Sequence, residues 1–469
     1  MQFRTERDPL GEFEVPADAY YGIQTARAVE NFRISDLRAP ADLIVATVLI
    51  KRAAAEANLA LERIDARVAR AIAQACDEIR GGSLRDQFVV DVYQAGAGTS
   101  HNMNTNEVIA NRAAEILGEP RGDYSVVHPN DHVNMGQSTN DVFPTATRLA
   151  LLIRMRPLVD AGRGLASALR EKADTFAHAL KVGRTHLQDA VPMTLGQEFG
   201  GYAACIERGV DDVEHAAEQL KELNLGATAV GTGLNAGDDY TRLAVSNLSR
   251  ALAVDLVPAA NRFRVTQSMG DIVAYSGAMR RLAVELSKVS SDLRLLSSGP
   301  RAGLAEIALP AVQPGSSIMP GKVNPSIPEM VNQVCFQVYG CDTTVCAASE
   351  AGQLELNVMM PVIAWNALHA STILANAMST LEMLCVEGIQ ADAARCRELL
   401  DRSTAVATAL SPYLGYAKTA EIAKASVLTG IPIREIVLER ALIEPARLDE
   451  ILSVEAMTEP GVPGKERAK

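Results

Sequence analysis

The amino-acid sequence predicts an all-α protein built around a long helix bundle. Hydrophobic residues make up 48% of its 469 residues but aromatic residues only 4%, so Ala, Leu, Val, Ile and Met must fill the core. Such residues suit closely packed helices, whereas β-sandwiches rely more on aromatic side chains. The segments 41–60, 196–222 and 271–296 repeat apolar residues at helical spacing. The last two are longer than most globular helices, which indicates a bundle.

The uncharged segment 356–381 predicts contact between subunits. It contains no Asp, Glu, Lys or Arg, and its length would also suit a membrane-spanning helix. Polar side chains inside the run would be costly in lipid, which argues against the membrane. They are Asn357, Asn366, His369 and Asn376. A helix that is apolar on all sides must be buried on all sides, so we expect a central helix that packs against other subunits.

Chain length, charge and cysteine usage narrow the class of protein further. A chain of 469 residues exceeds one usual core, so two or three domains are expected. A net charge of −12 disfavours a nucleic-acid partner. The N-terminus lacks the apolar stretch of a secretory signal. The seven cysteines include no Cys-x-x-Cys pair, which favours reduced, buried thiols of a cytoplasmic protein over a disulfide or zinc framework.

Polar islands rich in Gly or Pro separate the helical segments, and we expect them to be loops that carry the chemistry. They span 94–107, 128–141 and 313–328, and a shorter one follows Lys181. The residues after about 394 change to short helices with turns, which suggests a small C-terminal domain. The islands therefore come from the part of the chain that precedes this domain.

The strongest island is Gly315–Pro325, with the sequence GSSIMPGKVNP. Its prolines and glycines prevent a helix from crossing it, so it should form a mobile loop with glycine hinges. The loop carries the hydroxyls of Ser316 and Ser317, the ammonium of Lys322 and the carboxamide of Asn324. Lys322 and Asn324 can hold a carboxylate while a serine approaches a C–H bond, so the loop suits an anionic substrate.

The island 128–141 ends in Ser138 and Asp141, whose spacing is that of a helix cap. Hydroxyl groups at the N-terminus of a helix can also bind a carboxylate, and the two interpretations are compatible. His128 and His132 in the same island would by themselves suggest metal ligation. We leave both histidines outside the catalytic set.

The two remaining islands give weaker signals by themselves. Gly96–Glu107 predicts a Gly-rich turn that leads into a helix and buries several amides. Gly183–Ala190 carries His186, and a lone histidine is usually a structural one whose hydrogen bonds are satisfied. Residue types alone therefore do not assign a role to either segment.

Taken together, the islands resemble the aspartase/fumarase superfamily. GSSIMPGKVNP is similar to its signature loop, and Ser138–Asp141 matches its STND segment. Thr99 and His186 match two further segments, and the resemblance runs from Tyr20 to Val454. The sequence is therefore identified as a member of this superfamily.

The resemblance implies an architecture and an assembly. The expected domains are an N-terminal, mainly helical domain at 1–138, a central long-helix bundle at 139–393 that carries the signature loop, and a small helical domain at 394–469. The family assembles as a homotetramer with a shared multi-helix core, and each active site draws loops from three subunits. Islands that lie far apart in the sequence would then form one site.

The resemblance also implies a catalytic set of Ser316, His186 and Lys322. Ser316 inherits the role of general base, and His186 contacts the departing group. A serine hydroxyl is a poor base at neutral pH, so cationic charge and backbone N–H donors would have to stabilise it as an alkoxide. Glu329 pairs with this histidine in the family, although by itself it is typical of a cap on the helix that Ser326 opens.

The substrate-binding residues implied by the family surround a dicarboxylate. Those expected at the β-carboxylate, which becomes an enediolate, are Thr99, Ser138, Thr139 and Ser317. Those expected at the α-carboxylate are Thr185, Lys322 and Asn324. Those expected at the amino group are Asn140, His186 and Thr99. No metal ligand is assigned, and no organic cofactor is expected because the enediolate is the electron sink, although Mg²⁺ activates some relatives at alkaline pH.

Local features resemble the aspartase branch of the superfamily. Ala97 stands where fumarases usually have a serine, and Leu225–Thr228 replaces a fumarase-like Gly-Gly-Thr. His186 does not distinguish aspartases from fumarases, while Gly321 and Met360 depart from the usual aspartase residues. The resemblance therefore implies anti elimination of ammonia from L-aspartate to give fumarate. Fumarate hydration remains the alternative, followed by a lyase for a substituted aspartate and by a member without catalytic activity.

Overall fold

The computed structural model describes residues 2–465 and is mainly helical. Its helices are α1 Ile23–Asn31, α2 Ala41–Ala60, α3 Ala66–Arg80, α4 Thr99–Ile116, α5 Thr139–Thr175, α6 Leu195–Ala217, α7 Asp238–Leu252, α8 Arg262–Gln267, α9 Gly270–Leu296, α10 Ser326–Glu350, α11 Met360–Leu384, α12 Ala393–Arg402, α13 Ala407–Leu414, α14 Tyr416–Thr429, α15 Ile433–Glu439, α16 Pro445–Ile451 and α17 Val454–Thr458. Its strands are β1 Phe3–Asp8, β2 Gly11–Pro16, β3 Leu180–Thr185, β4 Gln188–Thr194, β5 Glu222–Leu223, β6 Val257–Pro258, β7 Ile307–Ala308 and β8 Gln390–Ala391. They form two-stranded pieces, with β5–β6 parallel and β1–β2, β3–β4 and β7–β8 antiparallel.

The predicted long helices are confirmed, although the segment 196–222 is α-helical only to Ala217 and continues as a 3₁₀ turn over Glu218–Lys221. The segment 41–60 coincides with α2, and 271–296 begins one residue inside α9. The apolar run 356–381 becomes helical only at Met360. The side chain of Asn357 accepts a hydrogen bond from the Met359 N–H just before that point, and Pro361 falls in the first turn, where its missing N–H costs nothing.

No helix within residues 2–465 is long and apolar enough to cross a membrane.

The chain divides into two compact units. The first comprises Met1–Val159, Asp211–Ala283 and Phe336–Ala375, and the second comprises Asp160–Val210, Val284–Cys335 and Asn376–Lys469. The long helices α5, α6, α9, α10 and α11 contribute residues to both units. The three-domain division at 1–138, 139–393 and 394–469 is not tested by this partition and stays a prediction.

The first unit has a core made by the helices α2, α3 and α4. Val48, Ile72 and Val108, one from each helix, are completely buried in a shared apolar cluster. The start of α1 is fixed to α4 because the Glu107 carboxylate accepts hydrogen bonds from the backbone N–H groups of Gly22, Gln24 and Thr25. The N-terminal end of α4, which carries Thr99, is therefore attached to a packed core.

The second unit contains a β-hairpin where the sequence predicted only a loop after Lys181. The strands β3 and β4 pair from Leu180 with Thr194 to Thr185 with Gln188. Leu180 and Val182 share an apolar core with the C-terminal helices, which contribute Leu400, Ile422 and Val437. The loop prediction was wrong because alternate residues of β3 find an apolar partner in the C-terminal segment, far away in sequence.

The cysteines only partly follow expectation. All seven are free thiols, and five are buried. Cys205 and Cys346 are exposed, so the expectation that the thiols are buried was wrong for these two. Both lie on long helices, α6 and α10, where an apolar sequence environment does not specify which side faces solvent.

Candidate active site

The predicted site residues are divided between the two compact units. Those of the first unit are Thr99, Ser138, Thr139 and Asn140. Those of the second unit are Thr185, His186, Ser316, Ser317, Lys322, Asn324 and Glu329.

Thr99 is the first residue of α4 and follows a tight glycine turn. Gly98 has φ +80°, and a Cβ there would lie 2.1 Å from the Phe143 ring, so only glycine fits. The Ala97 N–H donates to the Val358 carbonyl at 2.9 Å and fixes the turn from the other side. Thr99 is exposed, and its hydroxyl stands at the positive end of an 18-residue helix.

The island 94–107 is therefore helical from Thr99 onward, rather than a loop throughout. The predicted burial of its amides is confirmed, since Asn102, Asn104 and Asn106 are each at most 1% exposed. Buried amides need partners, and the amide nitrogen of Asn102 donates to Thr139 in the second island, while its oxygen accepts from Lys51 on α2.

The second island starts the longest helix, α5, with the predicted cap. The Ser138 N–H donates to Asp141 Oδ1 at 2.9 Å, and the Asn140 N–H donates to Ser138 Oγ at 3.2 Å. Thr139 follows as the first helical residue. Ser138 and Thr139 thus present hydroxyls at a helix N-terminus, which is suited to an anion.

Asn140 is held by its amide nitrogen, which donates to the Ala229 carbonyl at 2.8 Å. The carboxamide oxygen has no hydrogen-bond donor within the described part of the chain. It is therefore free to accept a hydrogen bond from a bound ammonium group. This geometry suits the predicted placement of Asn140 at the amino group of the substrate.

Asp141 does more than the capping pattern suggested. Its second oxygen, Oδ2, accepts hydrogen bonds from the N–H groups of Gly226 and Thr228, both at 2.9 Å. The side chain is completely buried, and burial raises its pKa to about 7 against the lowering effect of these backbone donors. Asp141 therefore joins the start of α5 to the Leu225–Thr228 segment, which the sequence analysis had noted only for its likeness to aspartases.

The sequence analysis missed Lys51, which lies in the middle of α2 and is completely buried. Its ammonium donates to Asn102, Asn134 and Gln137. The signal was present in the sequence, because a lysine within the mostly apolar segment 41–60 must either reach solvent or find buried acceptors. Only the structure shows that the acceptors belong to the islands 94–107 and 128–141.

In the signature loop of the second unit, the Ser316 hydroxyl meets backbone N–H donors. Ser316 Oγ accepts from the N–H groups of Ile318 at 3.2 Å and Met319 at 3.0 Å. The loop closes where the Gly315 N–H donates to the Lys322 carbonyl at 2.8 Å. Two N–H donors directed at one hydroxyl oxygen favour its alkoxide form. This is the kind of support that a serine base requires.

The other groups of this loop are largely exposed. Ser317 and Lys322 face solvent, and neither side chain has a hydrogen-bond or ion-pair partner within residues 2–465. Asn324 is half-buried and its Nδ2 donates to the Gly315 carbonyl at 2.7 Å, so part of its carboxamide supports the loop. Its second N–H and the Lys322 ammonium remain available to a carboxylate.

Thr185 and His186 lie at the tip of the β3–β4 hairpin. His186 and Leu187 have φ of +54° and +61°, the paired left-handed geometry of a tight two-residue hairpin turn. Below the tip, the Arg184 guanidinium contacts both oxygens of the buried Glu306 carboxylate at 3.0 Å. Lys181 contacts the same carboxylate at 3.1 Å. The hairpin whose tip carries the exposed imidazole is thus anchored by buried ion pairs.

Glu329 is exposed in the first turn of α10, where a carboxylate suits the helix dipole. Within residues 2–465 no ion pair joins it to His186, so their pairing stays a prediction.

The rings of His128 and His132 accept hydrogen bonds from nearby backbone N–H groups. His128 Nδ1 accepts from the N–H groups of Asn130 and Asp131, and His132 Nδ1 accepts from the His128 N–H at 2.8 Å. Across residues 2–465, no three His, Cys, Asp or Glu side chains are grouped so that they could hold a metal ion. No metal ligand set is therefore assigned.

Comparisons with known proteins give matches along most of the chain. The profile of a family described as lyase matches residues 11–340, and that of the fumarase C C-terminus matches residues 406–459. An aspartate ammonia-lyase from Escherichia coli (strain K12) is 50% identical over 465 residues, covering 98% of this chain and 97% of that protein.

Two solved structures show the same fold. A fumarate lyase:delta crystallin from Brucella melitensis bound to cobalt has a TM-score of 0.95 at 50% identity, covering 98% of this chain and 100% of that chain. A recombinant class II fumarase from Schistosoma mansoni has a TM-score of 0.93 at 37% identity, with the same coverage. The similarity confirms the resemblance read from the motifs, and residues 11–340 include every predicted site residue.

Proposed function

The chain belongs to the aspartase/fumarase superfamily of lyases, and from that membership we propose that it eliminates ammonia from L-aspartate to give fumarate. The observation that carries the choice of leaving group is the 50% identity, over nearly the full length of both chains, to a protein named aspartate ammonia-lyase. The class II fumarase is less similar, at 37% identity. The chain is accordingly a carbon–nitrogen lyase.

The reaction begins with removal of a proton from Cβ by Ser316. The Cβ–H bond breaks, its proton passes to Oγ, and its electron pair enters the β-carboxylate to form an enediolate. The electron pair then returns to form the Cα–Cβ double bond, the Cα–N bond breaks, and the ammonium group of the substrate leaves as ammonia. The N–H donors of Ile318 and Met319 support Ser316 in the alkoxide form that takes the proton.

The enediolate carries a second negative charge that the ground state lacks, so catalysis requires donors at the β-carboxylate. We assign this role to Thr99, Ser138 and Thr139, together with Ser317. The first three stand at the N-termini of α4 and α5, where helix dipoles add to the hydroxyl donors. These donors are fixed before the reaction starts.

The α-carboxylate and the amino group are assigned to the remaining residues. Lys322, Asn324 and Thr185 hold the α-carboxylate through charge and hydrogen bonds. The free carboxamide oxygen of Asn140 accepts from the ammonium group, with His186 and Thr99 beside it. No organic cofactor has a role in this scheme, and Mg²⁺ activation is left as a property to be measured.

We propose that the active form is a homotetramer in which three subunits contribute to each site. In the single chain, large apolar side chains on the long helices remain exposed, and apolar surface of this kind is usually covered by another subunit. They include Val284, Leu295, Phe336 and Met383. Thr99, His186 and Lys322 are exposed as well, as expected of groups that meet substrate or a neighbouring subunit. The cytoplasmic location and the absence of a nucleic-acid partner stay predictions.

The decisive test is a substrate comparison on the purified full-length protein. Fumarate formation is followed by its ultraviolet absorbance with L-aspartate, L-malate and an N-substituted aspartate as separate substrates. The proposal expects fumarate from L-aspartate and a much lower rate from the other two. Fumarate from L-malate alone would establish the hydratase alternative, and preference for the substituted amine would change the leaving group. Inactivity on all three, without a thermal shift by succinate, would indicate a non-catalytic member.

A further inference from the structure

Lys51 is a charged side chain placed where water cannot reach it. It is 0% exposed, and lysine is almost never buried so completely without partners. Its ammonium donates to three side-chain amide oxygens, at 2.7 Å to Asn102, 2.9 Å to Asn134 and 2.9 Å to Gln137. Three neutral acceptors satisfy the three N–H bonds of the ammonium, so the cluster is built to hold a cation.

The ammonium fixes the orientation of the Asn102 carboxamide. Burial lowers the pKa of Lys51 to about 7, and the three oxygen acceptors around its nitrogen favour the ammonium form. Because an ammonium can only donate, the oxygen of Asn102 must point toward it. The amide nitrogen of Asn102 then points the other way, toward Thr139 Oγ1 at 3.0 Å and Asn134 Oδ1 at 3.3 Å. Asn102 thus transmits the direction of hydrogen bonding from Lys51 to Thr139.

The Thr139 hydroxyl consequently accepts on its inner side. A hydroxyl has one hydrogen, and Asn102 occupies a lone pair, so that hydrogen is left to donate elsewhere. Thr139 is half-buried at the start of α5, where its outward direction is that of the proposed β-carboxylate. A carboxylate can only accept, so the hydroxyl is already oriented for it.

Lys51 also holds the segment that leads to Ser138. Asn134 donates from Nδ2 to the Gln137 carbonyl at 3.2 Å, and Gln137 donates from Nε2 to the Val133 carbonyl at 3.1 Å. Both carboxamides are oriented by their oxygen bonds to Lys51. One buried cation therefore fixes the direction of three amides behind the helix N-terminus.

We propose that Lys51 is a positioning residue for the elimination, acting through Asn102 to hold the Thr139 hydroxyl as a donor to the β-carboxylate. The proposal rests on the proposed function, which places that carboxylate at Thr139. Lys51 itself touches no substrate. The charge of Lys51 polarises this relay of hydrogen bonds through Asn102 and Thr139. The bonds strengthen as negative charge grows on the enediolate, so loss of Lys51 should change kcat more than KM.

Asn102→Asp tests the direction of the relay with almost no change of shape. The aspartate keeps one oxygen on Lys51, but its second oxygen faces Thr139 and draws the hydroxyl hydrogen inward. We expect kcat/KM for L-aspartate to fall about 100-fold, the size of the loss of one oxyanion donor. In a Thr139→Val background the same change should cost at most about 3-fold, because no hydroxyl is left to reorient.

Asn104→Asp is the matched control. Asn104 lies on the same helix and is equally buried, and among the described residues its side chain bonds only to the backbone of Gln87 and Val89. Its replacement is expected to lower the melting temperature while kcat/KM of the folded enzyme stays within about 3-fold of wild type. An equal kinetic loss in both aspartate variants, or an equal loss from Asn102→Asp in the presence and absence of the Thr139 hydroxyl, would overturn the relay.

Lys51→Met gives an independent arm if Asn102→Asp does not fold. Methionine fills the volume without a donor, so the Asn102 carboxamide loses its fixed direction. The expected result is again a fall in kcat that shrinks in the Thr139→Val background. If Lys51→Met lowered kcat by the same factor with and without the Thr139 hydroxyl, the proposal would be contradicted. Failure of the wild-type enzyme to release fumarate from L-aspartate would instead reject the proposed function, and the same cycle would then be measured on succinate binding.

Discussion

The two groups of candidate site residues are built in opposite ways. In the first unit, Thr99 and Thr139 begin helices, and the start of the second of these helices is backed by the buried side chains of Lys51, Asn102 and Asp141. In the second unit, the hydrogen bonds of the Ser316 loop end within residues 315–329 in the part of the chain that the structure describes. Ile318 at its tip is 83% exposed.

This difference in construction matches two separate tasks, which are the binding of negative charge by fixed donors and the transfer of a proton by the Ser316 loop. Donors that stabilise a growing charge work best when they need no reorganisation, which explains a rigid support behind Thr99 and Thr139. A base that must approach a C–H bond and then let product leave benefits from a loop with few outside contacts. Substitutions in the first region should therefore change stability together with activity, whereas substitutions in the loop should change activity alone.

The largest effect is expected from Ser316→Ala. The variant removes the base and should lower kcat about 10³-fold or more. Because Ser316 bonds only to its own loop within residues 2–465, the melting temperature and the circular dichroism spectrum should match those of wild type. Ser317→Ala, one residue further along the same loop, should lose only about 10-fold, since one of several carboxylate donors disappears. Turnover that survives Ser316→Ala would remove the base assignment.

Asp141→Asn should show the opposite pattern in the rigid region. Its carboxylate accepts three backbone N–H groups, and an asparagine must direct its own NH₂ at one or two of them. An unsatisfied buried donor costs about 1–3 kcal/mol, so the melting temperature should fall and KM for L-aspartate should rise. The exposed Asp131→Asn, with the same change of charge, serves as the control. A variant with normal stability but reduced kcat would contradict the contrast between the regions.

Gly315→Ala and Gly321→Ala compare two glycines within the loop. A Cβ at Gly315 would lie 2.4 Å from the Lys322 carbonyl oxygen and 2.7 Å from the Asn324 nitrogen, so the loop closure must open. We expect kcat to fall about 30-fold at unchanged melting temperature, because misplacing a reacting group by about 1 Å is costly. A Cβ at Gly321 meets nothing within 4 Å, although φ is +78°, so its effect should stay within about 5-fold. Equal losses would mean that backbone strain, rather than loop closure, governs the rate.

A contrast between local and distant contacts explains which features could be predicted from the sequence. Helices such as α2 and α9 follow from local apolar spacing, and their ends agree with prediction to within one residue. The cap of α5 was predictable because Ser138 and Asp141 are neighbours in sequence. The chemistry of the Ser316 loop was accessible for the same reason, since its groups lie within 11 residues of one another.

Features that depend on distant partners could not be read in this way. The β3–β4 hairpin needs the C-terminal helices to bury Leu180 and Val182. The acceptors of Lys51 lie 51 to 86 residues further along the chain. A sequence shows that a buried charge needs partners, but the choice of partners is made by tertiary packing.

The smallest expected effect is a pH dependence of stability that arises in the first unit. His101, on α4, is buried, and burial, with a smaller contribution from Lys51, lowers its pKa to about 4 from an ordinary value of 6.5. The Thr47 hydroxyl donates to the Leu43 carbonyl, so it accepts from His101 Nε2 at 3.0 Å and the imidazole is neutral. Below pH 6.5 the unfolded chain binds a proton that the folded chain does not bind until about pH 4. Stability must therefore fall as the pH falls through this window, by about 1 kcal/mol between pH 6.5 and 5.5.

His101→Gln should remove this part of the pH dependence, because glutamine can donate to Thr47 without titrating. The measurement is the melting temperature of variant and wild type from pH 7.5 to 5, where the two curves should diverge only on the acid side. Parallel curves for wild type and His101→Gln would show that the rigid region gains nothing from keeping this imidazole neutral, and the burial argument for that region would fail with it.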